Sequence, residues 1–160
     1  MSRETLDRFF AAFANLDAAT MQSCYAENAR FADPIFALAG ARQIGGMWRM
    51  LCADLRLRGI GQWKLEVEEI RTRGDQGRVR WVARYPFGAA GRKVRNRVYS
   101  RFDFDDKGLI VRQRDAFSFW NWSRQAIGLP GLLFGWTPTL RARVQGQAGQ
   151  QLARYMEKNR

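Results

Sequence analysis

Histidine is absent from this chain of 160 residues, and cysteine occurs only at Cys24 and Cys52. Without histidine, the histidine-based catalytic triads and most zinc sites are excluded, and we expect no metal site. Any acid–base chemistry must then come from carboxylates, tyrosine, cysteine, lysine or bound water. Both cysteines fall in helical patterns, which predicts two buried thiols rather than a disulfide.

Long apolar runs are also missing. None approaches the roughly 20 residues that a transmembrane helix needs, and residues 1–5 contain no apolar core of a signal peptide. We therefore expect a cytoplasmic protein without a transmembrane segment. Apolar residues still make up 46% of the sequence and aromatic residues 13%, which is typical of a globular protein. A chain of this length can form one core and bury roughly 70% of its unfolded surface.

Acidic residues are scarce, because 15 aspartates and glutamates oppose 27 lysines and arginines and leave a formal net charge of +12. Such a charge favours nucleic acid, anionic membranes or acidic ligands as partners. The arginines, however, alternate along predicted strands, and no nucleic-acid recognition motif is present. We therefore interpret the charge as a solvated basic surface and expect no specific nucleic acid partner, although the charge alone gives weak binding at low salt.

Apolar residues at helical spacing predict a first helix over residues 3–15. A second helix begins at its N-cap, Asp17, and ends near Tyr25. The segments that follow are predicted as a short strand at 31–34, a loop at 36–41 and a third helix at 41–57.

From residue 63 onwards the apolar period changes to two, which indicates strands. Helices followed by a four-stranded antiparallel meander define an α+β fold, in which the sheet curls around the helices as a cone with one open end. The strands are predicted at 63–68, 78–85, 94–102 and 109–119, with a hairpin loop at 86–91.

Residues 120–160 are predicted to form a C-terminal helical extension packed on the domain of residues 1–119. Within it, Thr137 has the character of an N-cap for a helix over residues 138–158. The preceding apolar loop, 127–136, is too short to span a bilayer. We expect it to cap the open end of the cone or to contact a second subunit, ahead of a peripheral contact with a membrane surface.

Two aspartates are candidate acid–base groups. Asp33 ends an apolar strand and precedes Pro34, so its carboxylate can lie at the mouth of a pocket or cap a turn. Asp115 lies on the inward row of the last strand, where a buried carboxylate is costly unless it is paired or protonated. A register slip of one residue would instead place Asp115 outside, in an ion pair with an arginine.

Two segments carry a family resemblance. The first is Tyr-Ala-Glu-Asn-Ala-Arg-Phe-Ala-Asp-Pro at residues 25–34, and the second is Phe-Asp-Asp-Lys-Gly-Leu-Ile at residues 104–110. Through them, residues 3–120 resemble the NTF2-like superfamily, which includes ketosteroid isomerase, the SnoaL-like polyketide cyclases and limonene epoxide hydrolase. The resemblance implies an NTF2-like cone, with a curved antiparallel sheet wrapped around N-terminal helices and extra C-terminal helices. It leaves function open, because the superfamily contains enzymes and non-enzymes.

Ketosteroid isomerase offers one template for the site. Asp33 matches its catalytic base, which moves a proton beside a ketone, and Tyr25 matches a tyrosine that supports the oxyanion network. Phe9 and Ser100 stand where that enzyme has the oxyanion-binding tyrosine and a protonated aspartate. Each lost donor is worth on the order of 3 kcal/mol of transition-state stabilisation, which argues against the same mechanism.

The other two relatives offer further templates. Limonene epoxide hydrolase uses two aspartates and an arginine on inner strand faces; Asp115 matches one aspartate, but Arg97 is predicted to face outward. The SnoaL-like cyclases match better, because they use one aspartate in an apolar, aromatic cavity without metal or cofactor. This resemblance implies that Asp33 and Asp115 act as acid and base on a small apolar ligand, a cyclic or polyketide-like compound. The alternative is a non-catalytic domain that binds a small molecule or a protein.

The resemblance also implies a homodimer formed through the outer face of the sheet. The many arginines on that face disfavour tight burial without acidic partners. Besides the two aspartates, the residues predicted to line the cavity are Phe9, Phe13, Tyr25, Phe36, Met47, Leu51, Trp63, Trp81, Asn96, Ser100, Gln113 and Phe117.

Overall fold

The computed structural model describes all 160 residues, which form six α-helices and six strands. No helix combines the length and the apolar character needed to cross a membrane. The helices are α1 (Ser2–Ala14), α2 (Ala18–Ser23), α3 (Ala41–Gly59), α4 (Phe119–Ala126), α5 (Leu129–Phe134) and α6 (Pro138–Lys158). The strands are β1 (Tyr25–Ala32), β2 (Ala37–Ala39), β3 (Lys64–Arg73), β4 (Gln76–Phe87), β5 (Arg92–Phe104) and β6 (Ile110–Ala116).

All six strands belong to one curved sheet in the order β2-β1-β6-β5-β4-β3. Strands β3 to β6 follow one another as the predicted antiparallel meander. Strand β1 runs parallel to β6 and antiparallel to β2, so the sheet is not antiparallel throughout. Helices α1 and α3 pack against the sheet. The α+β cone with extra C-terminal helices that the sequence predicts is confirmed.

The first strand is longer than predicted. Strand β1 begins at Tyr25, which pairs with Ile110 of β6, and the second helix therefore stops before it. The register of this pair is irregular between Tyr25 and Arg30, which breaks the alternation of apolar residues and hides the strand from sequence analysis. The predicted loop at 36–41 contains β2, because its residues pair with the end of β1.

Two later strand ends also differ from the prediction. Strand β4 extends to Phe87, into the predicted hairpin loop at 86–91, because its pairing with β5 continues to that residue. Strand β6 stops at Ala116, before its predicted end. It stops there because Ser118 caps the next helix, its Oγ accepting a hydrogen bond from the backbone N–H of Asn121 at 3.2 Å.

The C-terminal extension contains three helices. The apolar segment 127–136, predicted as a loop, contains α5. Helix α6 begins after the predicted N-cap Thr137, whose Oγ1 accepts a hydrogen bond from the N–H of Leu140 at 3.3 Å. It packs against α3, and Leu152 joins the main core.

Aromatic side chains dominate the core. The Phe9 ring of α1 is 1% exposed and makes edge-on contacts, each adding about 0.5–1.5 kcal/mol to the effect of burial. Its ring partners, at centroid distances of 5.1–6.3 Å, are Phe10, Phe13, Tyr25, Trp48 and Phe102. Cys24 and Cys52 are buried free thiols, as predicted.

Removal of the Phe9 ring should leave a cavity at the centre of this aromatic cluster. We expect Phe9→Ala to lower the free energy of unfolding by about 3–5 kcal/mol in urea denaturation. Leu57→Ala is the control, because Leu57 of α3 is 88% exposed and its loss should change stability by less than about 0.5 kcal/mol. Similar losses in the two variants would contradict this description of the core.

Candidate functional site

A cavity of about 260 Å³ lies between the helices and the sheet. Side chains of α1, α3, α4, α6, β4 and β5 supply most of its wall, which is largely apolar. The residues predicted from the sequence that do border it are Phe13, Asp33, Phe36, Met47, Leu51, Trp63, Trp81, Asn96, Asp115 and Phe117.

Four residues predicted to line the cavity lie behind its wall instead: Phe9, Tyr25, Ser100 and Gln113. Phe9 is enclosed by its aromatic neighbours. The three polar residues take part in hydrogen bonds beneath the surface. The alternation of apolar residues along a strand or a helix predicts which face a side chain occupies, but it does not predict how deeply that side chain lies beneath the cavity wall.

Asp115 is 8% exposed and borders the cavity from β6. Ser100, its direct neighbour on β5, donates a hydrogen bond from Oγ to Asp115 Oδ1 at 2.6 Å. Gln113 donates from Nε2 to the same oxygen at 3.0 Å and to Oδ2 at 3.2 Å. The inward register of Asp115 is therefore the one present, and the slipped register with an arginine partner is not.

The hydrogen-bond donors to Asp115 are themselves held in place. Trp81 donates from Nε1 to Ser100 Oγ at 2.8 Å. On the other side, the Tyr25 hydroxyl donates to Gln113 Oε1 and accepts a hydrogen bond from Trp48 Nε1 at 3.0 Å. No buried side-chain nitrogen or oxygen in the structure lacks a hydrogen-bond partner. The carboxyl group thus sits at the centre of a polar network enclosed by aromatic rings.

Burial raises the pKa of Asp115 from its ordinary value of 3.8 to about 7. The hydrogen bonds from Ser100 and Gln113 counteract this rise, and the nearby charge of Asp33 adds to it. Near neutral pH the group is therefore present in both its acidic and its basic form. This is the condition that general acid–base catalysis requires.

Asp33 follows β1 and caps the turn after it. Its Oδ1 accepts hydrogen bonds from the backbone N–H groups of Ile35 at 2.7 Å and Phe36 at 2.6 Å. Burial raises the pKa of Asp33, while these two hydrogen bonds and the charge of Arg141 counteract the rise. Asp33 thus caps a turn and also borders the cavity. The third carboxyl group of the wall, that of Asp54 on α3, forms an ion pair with Arg58 at 2.9 Å.

The C-terminal extension completes the cavity, and sequence analysis missed this. Val144 and Gln147 of α6 form one side, and Trp122 of α4 lies near Tyr85, to whose hydroxyl it donates a hydrogen bond at 3.0 Å. Burial raises the pKa of Tyr85 to about 12. No residue of the segment 127–136 borders the cavity, so that segment is not its cap. The apolar stripe of α6 is visible in the sequence, but nothing there shows which surface it covers.

The wall of the cavity contains no lysine or arginine. Arg97, the counterpart considered for the arginine of limonene epoxide hydrolase, lies on the outer face as predicted, where it pairs with Glu68 at 3.2 Å. No cluster of three acidic or cysteine side chains in the structure could hold a metal ion. The site therefore brings together two carboxyl groups with raised pKa values and an apolar wall.

Comparison with known proteins identifies the fold. Residues 6–113 match the sequence model of the SnoaL-like domain. A comparison with curated protein sequences found no significant match. These findings and the structural neighbours below confirm the predicted NTF2-like resemblance.

Among solved structures, a hypothetical protein with a ketosteroid isomerase-like fold from Catenulispora acidiphila, in complex with trimethylamine, has a TM-score of 0.66 and 18% identity, over 86% of this chain and 100% of that one. An LEH-like epoxide hydrolase of M. tuberculosis has a TM-score of 0.61 and 19% identity, over 81% of this chain and 92% of that one. An NTF2-like protein of unknown function from Burkholderia pseudomallei has a TM-score of 0.63 and 16% identity, over 78% of this chain and 96% of that one. At these identities the likeness shows the shared fold alone.

The raised pKa of Asp115 should make stability depend on pH. A carboxyl group with a pKa of 3.8 when unfolded and about 7 when folded adds no penalty below about pH 4. As the pH rises, folding opposes its ionisation, and the penalty becomes complete above about pH 7, at on the order of 4 kcal/mol. We therefore expect Asp115→Asn to match the wild type in urea denaturation at pH 4 and to be clearly more stable at pH 8.

Asp106→Asn is the matched control for this experiment. It makes the same substitution at an exposed position in the turn between β5 and β6, so the pH dependence of the wild type should be retained. A stability difference between Asp115→Asn and the wild type that stays constant from pH 4 to pH 8 would contradict the raised pKa.

Proposed function

This chain belongs to the SnoaL-like domain family, and we propose that it is a cofactor-independent enzyme that moves a proton on a small, largely apolar cyclic compound. The reaction class is an isomerisation or a ring closure. In the first step Asp115 takes a proton from a carbon beside a carbonyl group, and the proton later returns to the same molecule. The observation that carries the proposal is the buried Asp115 carboxyl, with a pKa of about 7, at the wall of an apolar cavity.

The surroundings of Asp115 suit a general base. Such a base works best when its pKa lies near the working pH, and burial is a common way to raise a carboxyl group to that range. Ser100 and Gln113 both donate to Oδ1, whereas Oδ2 has a single contact of 3.2 Å. Oδ2 is therefore the freer oxygen for proton transfer, while the other contacts hold the carboxyl plane in place.

Asp33 acts on this base through its charge. Its Oδ1 accepts two backbone hydrogen bonds, which favour its ionised form, and its negative charge raises the pKa of Asp115. Of the two carboxyl groups, Asp115 is therefore the one that takes up the proton. Phe9 and Ser100 replace the two donors of ketosteroid isomerase, and neither residue borders the cavity, so the proposed reaction does not use the oxyanion site of that enzyme.

The size and polarity of the cavity limit the substrate. A volume of about 260 Å³ exceeds the cavity of about 150 Å³ that binds benzene, and it falls just below the range of about 300–1,000 Å³ for larger ligands. One or two rings would fit this space better than a longer polyketide. Asn96, four residues before Ser100 on β5, lies roughly 13 Å along the strand from the level of Asp115. Its amide would bind a polar group at the far end of the substrate.

A ligand panel tests the proposed function. Wild type, Asp33→Asn and Asp115→Asn are assayed with cyclic ketones, epoxides and small aromatic polyketide-like compounds, first for a rise in Tm and then for turnover. We expect at least one compound to be converted, and Asp115→Asn to lower kcat about 10²–10⁴-fold while it retains binding. Asp106→Asn, at an exposed position that does not border the cavity, should behave as the wild type.

Ligand binding without turnover would contradict the proposed function. A compound that raises the Tm of the wild type and of both cavity variants equally, without turnover in any of them, would establish a non-catalytic small-molecule-binding domain instead.

The pH dependence of turnover tests the assignment of the base. Because Asp115 must be ionised to accept a proton, kcat/KM should rise with pH through an inflection near its pKa of about 7. The hydrogen bond from Ser100 lowers that pKa, so Ser100→Ala should move the inflection to higher pH. Arg97→Gln, on the outer face, should leave it in place. An inflection that does not move in Ser100→Ala would show that another group titrates.

A further inference from the structure

Six large apolar side chains of the C-terminal extension are exposed to solvent. They come from α4, from α5 and from the turn after α5, and none of them borders the cavity. An exposed patch of such residues usually marks a contact with a partner or a membrane. We call this patch the apolar knob; its members, exposed by 40–74%, are Trp120, Leu129, Leu132, Leu133, Phe134 and Trp136.

Helix α5 is oriented with its apolar side chains away from the protein. Its contact with α4 is made by glycine: a methyl group added at Gly131 would lie 2.1 Å from the carbonyl oxygen of Ser123. A methyl group added at Gly135 would lie 2.2 Å from Ser123 Oγ. No larger residue fits at either position without a shift of the two helices. Helix α5 therefore packs on α4 through glycine, and its leucine and phenylalanine side chains remain exposed to solvent.

Both tryptophans of the knob turn their polar edge inward. Trp120 donates a hydrogen bond from Nε1 to the carbonyl oxygen of Leu132 at 3.1 Å. Trp136 donates from Nε1 to the carbonyl oxygen of Leu133 at 3.0 Å. What these two indole rings present to their surroundings is consequently apolar surface.

The remaining carbonyl groups at the end of α5 are also satisfied. Phe134 accepts hydrogen bonds from the hydroxyl and the N–H of Thr137 at 2.5 and 2.9 Å, and Gly131 accepts one from the N–H of Gly135 at 2.8 Å. The last four carbonyl groups of a helix normally need water or a cap. Because all four are paired within the protein here, this helix end can leave water without the cost of unpaired polar groups.

The charged side chains of the segment that contains the knob all have the same sign. Residues 116–156 contain no aspartate or glutamate. Arg92 adds a cation beside α4, because its Nε donates to the carbonyl oxygen of Gln125 at 2.8 Å. The charged residues of the segment itself are Arg124, Arg141, Arg143 and Arg154.

We propose that the apolar knob docks this protein on the surface of an anionic lipid bilayer. Its leucine, phenylalanine and tryptophan side chains enter the interfacial region, and the surrounding arginines face the lipid phosphates. A second copy of the chain fits this surface less well, because each copy brings the same arginines and a net charge of +12. The proposal is independent of the catalytic role of Asp115.

Co-sedimentation of the full chain with vesicles tests this proposal. The protein should bind vesicles made from an equimolar mixture of phosphatidylcholine and phosphatidylglycerol, and its tryptophan emission should shift to the blue on binding. It should bind vesicles of pure phosphatidylcholine more weakly. The double substitution Leu129→Gln and Phe134→Gln should lower the partition coefficient about tenfold or more. Both positions are exposed, so this variant should keep the Tm of the wild type.

The matched control replaces two exposed apolar residues outside the knob. Leu57→Gln with Ile60→Gln, at positions 88% and 56% exposed, should leave vesicle binding unchanged. Binding that the knob variant retains in full would show attraction by net charge alone, and absence of binding to the anionic vesicles would also overturn the proposal. So would a dimer in light scattering that the knob variant converts to a monomer, because the knob would then be a contact between two copies.

Discussion

The parallel pairing of β1 with β6 is the contact on which the rest of the site depends. It joins an N-terminal strand to the last strand of the sheet, with Phe31 opposite Gln113 and Ala32 opposite Arg114. Asp33 is the next residue after β1, so this register carries it toward Asp115, the residue two positions beyond Gln113. Parallel neighbours need a long connection, and here α3 and three strands of the meander lie between them. The two carboxyl groups therefore share a cavity only when the whole sheet has formed.

Elements with local determinants were predictable from the sequence. Helices α1, α3 and α6 follow from apolar spacing, and the caps at Asp17 and Thr137 are both present in the structure. Strands β3 to β6 follow from clear alternation. Strand β1 was predicted too short, because the exposed pair Glu27 and Asn28 interrupts its alternation and its pairing partner lies far along the chain. Strand β2 has only three residues and exists through its pairing with β1.

The residues of the candidate site were likewise predictable only where a local pattern determines their position. Alternation along β6 correctly puts Asp115 on the inner face, and the same rule identifies Trp81 and Asn96. The rule contains no information on depth, and Ser100 and Gln113 therefore appeared as wall residues although they lie beneath the wall. The packing of α6 against the cavity depends on the three-dimensional path of the extension. The sequence shows that α6 has an apolar face, but it does not show which surface that face packs against. Aromatic donors such as Trp81 show how an otherwise apolar core accommodates a carboxyl group, since each supplies one N–H where a polar neighbour needs it.

The placement of Asp115 has a consequence for calorimetry. Any neutral molecule that displaces water from the cavity removes hydration from a carboxyl group that is already close to half ionised at neutral pH. Its protonated form then becomes more favourable, and binding is accompanied by uptake of protons from the buffer. The heat of binding will therefore include the ionisation heat of the buffer and will differ between phosphate and Tris. This linkage reports the occupancy of the cavity whether or not the bound molecule is converted.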